Sequence, residues 1–139
     1  MKMIATLALA FAAGLAAAPA LAANVYECAF PEQEANRNWL PAQVAITHDV
    51  ESGEVLVFDP LIQHYKGNPI PAKVETDNKA RVTYTWRLDG MKDVSGQMVN
   101  QAYRLTIRKD GLSAKVSGKA LGYANSPDEA TGRCKLHKR

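Results

Sequence analysis

The stretch from Lys79 to Asp89 alternates between polar and less polar side chains at nearly every position, and this pattern constrains the fold more than any other. Successive side chains of an extended strand point to opposite faces of a sheet, so the pattern predicts a β-strand with one dry and one wet face. The expected dry face consists of Ala80, Val82, Tyr84, Trp86 and Leu88. The expected wet face consists of Lys79, Arg81, Thr83, Thr85, Arg87 and Asp89. We therefore expect Tyr84 and Trp86 to anchor the core.

The first 22 residues have the features of a secretory signal peptide. Lys2 supplies a positive charge, residues 3–17 form an apolar run rich in Ala and Leu, and Ala20-Leu21-Ala22 fits the small-x-small cleavage rule. A membrane-spanning anchor would need a longer apolar run of about 20 residues, and Gly14 and Pro19 interrupt such a run here. We therefore expect a soluble periplasmic or secreted protein that starts at Ala23 and does not span the membrane.

Two cysteines, Cys28 and Cys134, lie near the two ends of the expected mature chain. The residues before Cys28, Val25-Tyr26-Glu27, are not the small residues of a lipid-attachment site, so a lipoprotein is not expected. Because an exported chain meets an oxidising environment, we predict a Cys28–Cys134 disulfide. Removal of 22 residues leaves 117 of the 139, which is the length of a single domain spanning residues 23–139.

Seven further stretches have strand character and are separated by turn residues rich in Gly, Asp, Asn and Pro. They are Val25–Phe30, Ala42–His48, Gly53–Asp59, Ile70–Thr76, Val99–Arg108, Leu112–Ala120 and Gly132–Leu136. The segment 31–41 could form one or two helical turns, with Trp39 and Leu40 capping one end of the core, and the segment 90–98 is expected to be a flexible connection.

About eight strands without a helix of normal length predict an antiparallel all-β domain. A disulfide between the first and last strands favours a small closed or nearly closed barrel, because closure would also remove exposed sheet edges. A two-sheet β-sandwich remains the alternative.

The charges of the chain are distributed unevenly. The formal net charge is +3 and becomes +2 once Lys2 leaves with the signal peptide. Residues 23–77 hold three basic against nine acidic residues, whereas residues 78–139 hold thirteen against five. Outward positions of the last four predicted strands carry the candidate basic surface: Lys79, Arg81, Arg87, Arg104, Arg108, Lys115, Lys119, Arg133 and Lys135.

This basic surface has two interpretations. It could bind an anionic partner, which in an exported protein would be envelope lipid or polysaccharide rather than nucleic acid. Alternatively, it is a solvated sheet face that Lys and Arg keep soluble and protect from edge pairing.

A second candidate site lies between Pro60 and Pro69, a segment interpreted as a loop with unusually many large side chains. Its prolines would stiffen the ends, so Ile62, His64 and Tyr65 could form a recognition loop for a protein partner or at a barrel mouth. The other interpretation is a lid in which the same side chains fold back over the core.

Metal and catalytic signals are weak. His48, His64 and His137 are dispersed, and the chain contains neither a His-x-x-x-His nor a Cys-x-x-Cys motif, so no metal or cofactor is predicted. We expect His48 to be a rim histidine satisfied by hydrogen bonds, with a metal or acid–base site shared with His64 as the alternative. The sequence has no Gly-x-Ser-x-Gly elbow, phosphate loop or dinucleotide fingerprint, which argues against an enzyme.

The motif Tyr26-Glu27-Cys28 and the distal Cys134 resemble the framework of small periplasmic β-barrels such as the C-type lysozyme inhibitors. The resemblance covers the export signal, the Tyr-x-Cys motif and the terminal disulfide. The Ser-Gly-x-x-Tyr recognition segment of that family has no counterpart, because Ser95-Gly96 is followed by Gln97-Met98. No inhibitory residue is therefore carried over to this chain.

These observations favour a non-catalytic binding module of the bacterial periplasm or envelope, with an anionic envelope component or a protein as partner. One alternative is an inhibitor of an exported or invading hydrolase, such as a lysozyme or a protease. Another is a small-ligand barrel, which would need an apolar cavity. We expect Tyr84, Trp86 and Tyr103 to fill the interior of a barrel of this size.

Overall fold

The computed structural model describes residues 22–31, 39–123 and 127–139, and these form a nearly closed antiparallel barrel with one short helix. The elements are β1 (Ala23–Ala29), β2 (Gln43–Asp49), β3 (Val55–Phe58), α1 (Pro60–Tyr65), β4 (Ile70–Pro71), β5 (Lys73–Asp77), β6 (Arg81–Lys92), β7 (Met98–Arg108), β8 (Ser113–Ala120) and β9 (Asp128–Lys138). The predicted all-β fold and nearly closed barrel are confirmed. The predicted signal peptide, except for Ala22, and residues 32–38 of the segment expected to form helical turns lie outside the described residues.

The sheet follows the order of the chain, and β9 returns to pair with β1. Cys28 and Cys134 are directly opposite each other in this pair and form the predicted disulfide. The last strand is longer than the predicted Gly132–Leu136. The bond therefore fastens the barrel where its first and last strands meet.

The expected strand from Ile70 to Thr76 is in fact two short strands, which makes nine strands instead of eight. β4 pairs with β3, and β5 pairs with β6. Between them, the backbone N–H of Ala72 donates to the carbonyl of Val55 at 3.0 Å. Because one bent segment pairs with both ends of the sheet, it covers the two edges that an open sheet would expose.

The barrel interior is filled by side chains. Val82, Tyr84, Trp86 and Leu88 are buried as predicted, and the rings of Trp86 and Tyr103 stack with centroids 5.6 Å apart. Burial raises the pKa of the Tyr84 and Tyr103 hydroxyls above their ordinary value. The described interior is thus a packed core of large aromatic and aliphatic residues.

Two residues of the Lys79–Asp89 pattern differ from expectation. Ala80 is exposed because it lies in the turn before β6, where Asn78 Oδ1 accepts from its backbone N–H at 2.9 Å. Thr83 is buried although it belongs to the outward set. Its neighbours on β5 and β7 enclose it, and its Oγ1 lies 3.0 Å from Oγ1 of Thr106.

One end of the barrel is closed by α1 and by the residues before β2. Leu40 is buried and the Trp39 carbonyl accepts from the Tyr103 hydroxyl at 2.7 Å, so the predicted core cap is confirmed. The segment after Pro60 was expected to be a loop, but it begins as a helix. Asp59 is its N-cap and accepts from Ile62 N–H at 2.7 Å, while Pro60 occupies the first turn.

The connection expected at residues 90–98 is shorter, because β6 continues to Lys92. The strand passes through an irregularity at Gly90, whose φ of 81° suits glycine and whose N–H donates to Asn100 Oδ1 at 2.9 Å. Met91 beyond it is fully buried. The turn itself is held by Asp93, which accepts backbone hydrogen bonds from Ser95 and Gln97.

Gly132 on β9 lies against β1 so closely that a larger residue has no room. A Cβ built there would be 2.0 Å from the carbonyl oxygen of Ala29. We expect Gly132→Ala to lower the free energy of unfolding by about 2 to 3 kcal/mol, because the two strands must separate beside the disulfide. Urea unfolding monitored by tryptophan fluorescence would measure the loss.

Gly118→Ala on β8 is the matched control. The three atoms nearest its Cβ would be side-chain atoms of Leu40 and Tyr103, at 3.0 to 3.2 Å, so the overlap is much smaller and involves no backbone atom among them. We expect a loss below about 1 kcal/mol, since both variants share the same change in the unfolded chain. Equal losses in the two variants would contradict a specific contact between β1 and β9.

Candidate functional site

The strand register places three arginines in one line across the outer surface of the barrel. Arg81 of β6 is directly opposite Arg108 of β7. Ile107 of β7 pairs with Ala114 of β8, so the next residues, Arg108 and Ser113, also lie beside each other. Ser113 in turn pairs with Arg133 of β9. We call Arg81, Arg108, Ser113 and Arg133 the arginine row. All three guanidinium side chains belong to exposed residues.

Two further rows lie below the arginine row on the same four strands. One consists of Thr83, Thr106, Lys115 and Thr131. The next consists of Thr85, Arg104, Ser117 and Glu129. These rows place hydroxyl groups, which can donate hydrogen bonds, beside the basic side chains.

Ion pairs neutralise part of the predicted basic surface. Arg87 contacts Asp89 at 3.0 Å, Arg104 contacts Glu75 at 2.9 Å and Lys115 contacts Glu129 at 3.1 Å. Arg133 instead donates to the carbonyl of Gly111 at 2.9 Å. Among the described residues, no carboxylate forms an ion pair with the remaining predicted members, Lys79, Arg81, Arg108, Lys119 and Lys135.

An open groove of about 570 Å³ lies between these rows. Within the described part of the chain, its lining includes the basic side chains of Arg81, Arg104, Arg108 and Lys115 and one carboxylate, that of Glu129. Ser113, Ser117 and Thr106 supply hydroxyls to the same groove. Guanidinium groups and hydroxyls are the donors that bind carboxylate, sulfate and phosphate oxygens. The arrangement can therefore hold an anionic group at the surface.

The predicted basic residues do not all lie in this groove. Arg87 and Lys119 are one row further along the strands, and Lys79 is in the turn before β6. Lys135 lies opposite Glu27 of β1, two residues beyond Arg133 along β9. Eight of the nine residues thus share the outer face of four adjacent strands, whereas Lys79 does not lie on the strand predicted for it. Arg81 and Arg108 form the unneutralised centre of this face.

The three residues of the second candidate site lie in different environments on α1. Ile62 is 0% exposed and belongs to the core, whereas His64 is exposed and Tyr65 is half-buried. The Tyr65 hydroxyl accepts from the backbone N–H of Lys92 at 3.5 Å. Ile62 is therefore part of the lid that closes the barrel, and His64 is the only one of the three residues that is exposed.

His48 and His64 lie at opposite ends of the barrel. His48 pairs with the first residue of β3, and its Nδ1 is 2.8 Å from the Tyr84 hydroxyl, so it has the hydrogen bond expected of a rim histidine. His64 belongs to the helix that follows β3. Within the described part of the chain, no three His, Cys, Asp or Glu residues are grouped so that they could hold a metal ion.

Asp59 is a buried carboxylic acid that the sequence reasoning did not single out. Its Oδ1 is bonded to Ile62 N–H, whereas its Oδ2 is buried and has no partner among the described residues. Burial raises its pKa to about 6, and the backbone N–H groups of Ile62 and Leu61 oppose that shift. An Asp-Pro pair at the end of a strand is typical of a helix N-terminus, so the sequence contains a signal for α1. The burial of Asp59 could not be predicted, because it depends on tertiary packing.

No protein-family model, curated protein or solved structure matches this chain. No helix in the described ranges is long and apolar enough to cross a membrane. The interpretation of the site therefore depends on its own geometry and chemistry.

Proposed function

We propose that this chain is a non-catalytic binding module of the bacterial periplasm or envelope, which binds an anionic envelope component in the groove between Arg81 and Lys115. The observation that carries the proposal is the direct cross-strand pairing of Arg81 with Arg108. Like charges in this position destabilise a sheet by a few tenths of a kcal/mol. An anion placed between the two guanidinium groups would remove that repulsion and accept hydrogen bonds from both.

The neighbouring ion pairs support this assignment. The side chains of the Arg104–Glu75 pair are about half exposed, at 53% and 41%, and such surface pairs contribute little energy. Arg104 can therefore turn from Glu75 toward a stronger anionic ligand at small cost. Four basic residues then surround the groove, with hydroxyls between them.

The alternative of a small-ligand barrel has less support, because Tyr84 and Tyr103 are among the largest fully buried side chains and occupy the interior. The alternative of a hydrolase inhibitor acting through residues 60–69 loses Ile62 as a contact, since Ile62 is part of the core. The outer surface of β6–β9 thus remains the best-supported binding region.

Retention on immobilised heparin and on vesicles containing phosphatidylglycerol tests the proposal. We expect the protein to stay bound at about 0.15 M salt and the double variant Arg81→Ser/Arg108→Ser to elute at clearly lower salt. The slope of log K against log salt should fall by roughly two units, because two charge contacts are lost.

The double variant Arg87→Ser/Lys119→Ser is the matched control, because it removes the same charge from exposed positions outside the groove lining. We expect it to elute close to the wild-type protein. Equal shifts for the two double variants would refute the groove, and loss of wild-type binding below about 0.15 M salt would favour a merely solvated face.

A further inference from the structure

The arginine row continues beyond the groove and connects it with a second, larger one. Arg133 has Ser113 on one side and Ala29 of β1 on the other, and Ala29 pairs with Gln43 of β2. An open groove of about 1140 Å³ lies over β9, β1, β2 and β3, and Arg133 is part of its lining. Arg133 therefore stands at the boundary between the two grooves.

The spacing along this line is set by the sheet. Neighbouring strands are about 5 Å apart, so the backbones of Arg81 and Arg108 are about 5 Å apart and those of Arg108 and Arg133 about 10 Å apart. Arg133 is already held by its bond to Gly111, so little side-chain freedom remains to be lost on binding. A single small anion can bridge Arg81 and Arg108, whereas Arg133 lies two strands beyond Arg108 and its guanidinium is engaged by the Gly111 carbonyl.

The curvature of the barrel distinguishes between two kinds of polyanion. The row runs from β6 to β9 and so spans three inter-strand spacings, which is about a third of the circumference of the nine described strands. A flat bilayer is tangent to such a convex surface along a line, so it meets the middle of the row before its ends. A flexible linear chain can follow the curve and meet all three arginines in turn.

We infer that the ligand is a linear anionic polysaccharide that lies across the strands, along the arginine row and into the larger groove. This inference rests on the proposed function and specifies its ligand. In the larger groove, Gln43 and Gln63 offer amide groups for sugar hydroxyls, and Ala45 and Phe58 offer apolar surface for ring faces. The sulfate or carboxylate groups of the chain would accept hydrogen bonds from the guanidinium groups.

Heparin-derived oligosaccharides of defined length test the inference, with isothermal titration calorimetry as the readout. A disaccharide is shorter than the row and an octasaccharide is longer. We expect the octasaccharide to bind more tightly. We expect Arg133→Ser to weaken octasaccharide binding roughly tenfold and to leave disaccharide binding unchanged, because only the longer chain reaches Arg133. Arg87→Ser, which removes the same charge outside both grooves, should change neither.

The results separate this inference from the proposal on which it rests. Equal effects of Arg133→Ser on both lengths, or binding to phosphatidylglycerol vesicles without binding to any oligosaccharide, would overturn the linear ligand while leaving an anion-binding function intact. Binding to neither probe, or binding that is insensitive to Arg81→Ser/Arg108→Ser, would overturn both.

Discussion

Replacing Cys28 and Cys134 together with alanine is expected to lower the free energy of unfolding by about 4 to 5 kcal/mol. The bond links positions 106 residues apart, so its loss releases nearly all of the described chain in the unfolded state. It also fastens the β1–β9 pairing that closes the meander. Because a domain is typically stable by only about 5 to 15 kcal/mol, this loss removes a large part of the total. Urea unfolding of the oxidised protein and the variant measures it.

The reduced wild-type protein is the control for this comparison. It loses the same loop constraint but keeps both sulfur atoms in their buried positions, so it should unfold close to the double variant. The difference between them measures packing alone. If reduction lowers the free energy of unfolding by less than about 1 kcal/mol, the entropic account of this bond is wrong.

The fold was predictable where local pattern determines structure. Val82, Tyr84 and Trp86 alternate with polar residues, and this period requires one buried face whatever the partner strands are. The division of the fourth strand at Ala72 was not predictable, because it depends on which sheet edge each half meets. Thr83 was misassigned for the same reason, since its burial comes from neighbours on β5 and β7.

The candidate site was predictable in its residue types and only partly in its geometry. Alternation placed Arg81, Arg108 and Arg133 on an outer face, but turn lengths set the register that aligns them. The ion pairs with Glu75 and Glu129 follow from that register as well. Which basic side chains remain unneutralised is therefore a property of the assembled sheet and cannot be derived from charge counts.

Asp59 shows how the fold creates an acid with unusual properties from an ordinary turn residue. The residue is 4% exposed at the start of α1, and the Tyr103 hydroxyl is an ionisable group that interacts with it. Loss of solvation favours the neutral carboxyl, so its pKa rises from 3.8 to about 6 on folding. The folded state therefore holds a proton in a pH range where the unfolded state has already lost it.

We expect this carboxyl to make the protein less stable as the pH rises from about 4 through about 6. The folded state binds the proton more strongly, so the contribution of Asp59 is fully present below about pH 4 and is lost above about pH 6. A shift from 3.8 to about 6 corresponds to about 3 kcal/mol. Asp59→Asn keeps an oxygen for Ile62 N–H and cannot ionise, so it should match the wild-type protein near pH 4 and exceed its stability by up to about 3 kcal/mol at pH 7.

Asp49→Asn and Asp93→Asn provide controls of opposite sign. Hydrogen bonds from backbone and side-chain groups, those of Ser52 at Asp49 and Ser95 at Asp93 foremost, hold the pKa of both carboxyls below 3.8. Their contributions are present at neutral pH and lost as the pH falls, so these variants should be less stable at pH 7. Urea unfolding of all four proteins between about pH 3.5 and about pH 7.5 separates the contributions of the three carboxyls to the free energy of unfolding. Parallel curves for the wild-type protein and Asp59→Asn would show that Asp59 keeps an ordinary pKa, which would require solvent to reach its Oδ2 at the start of α1.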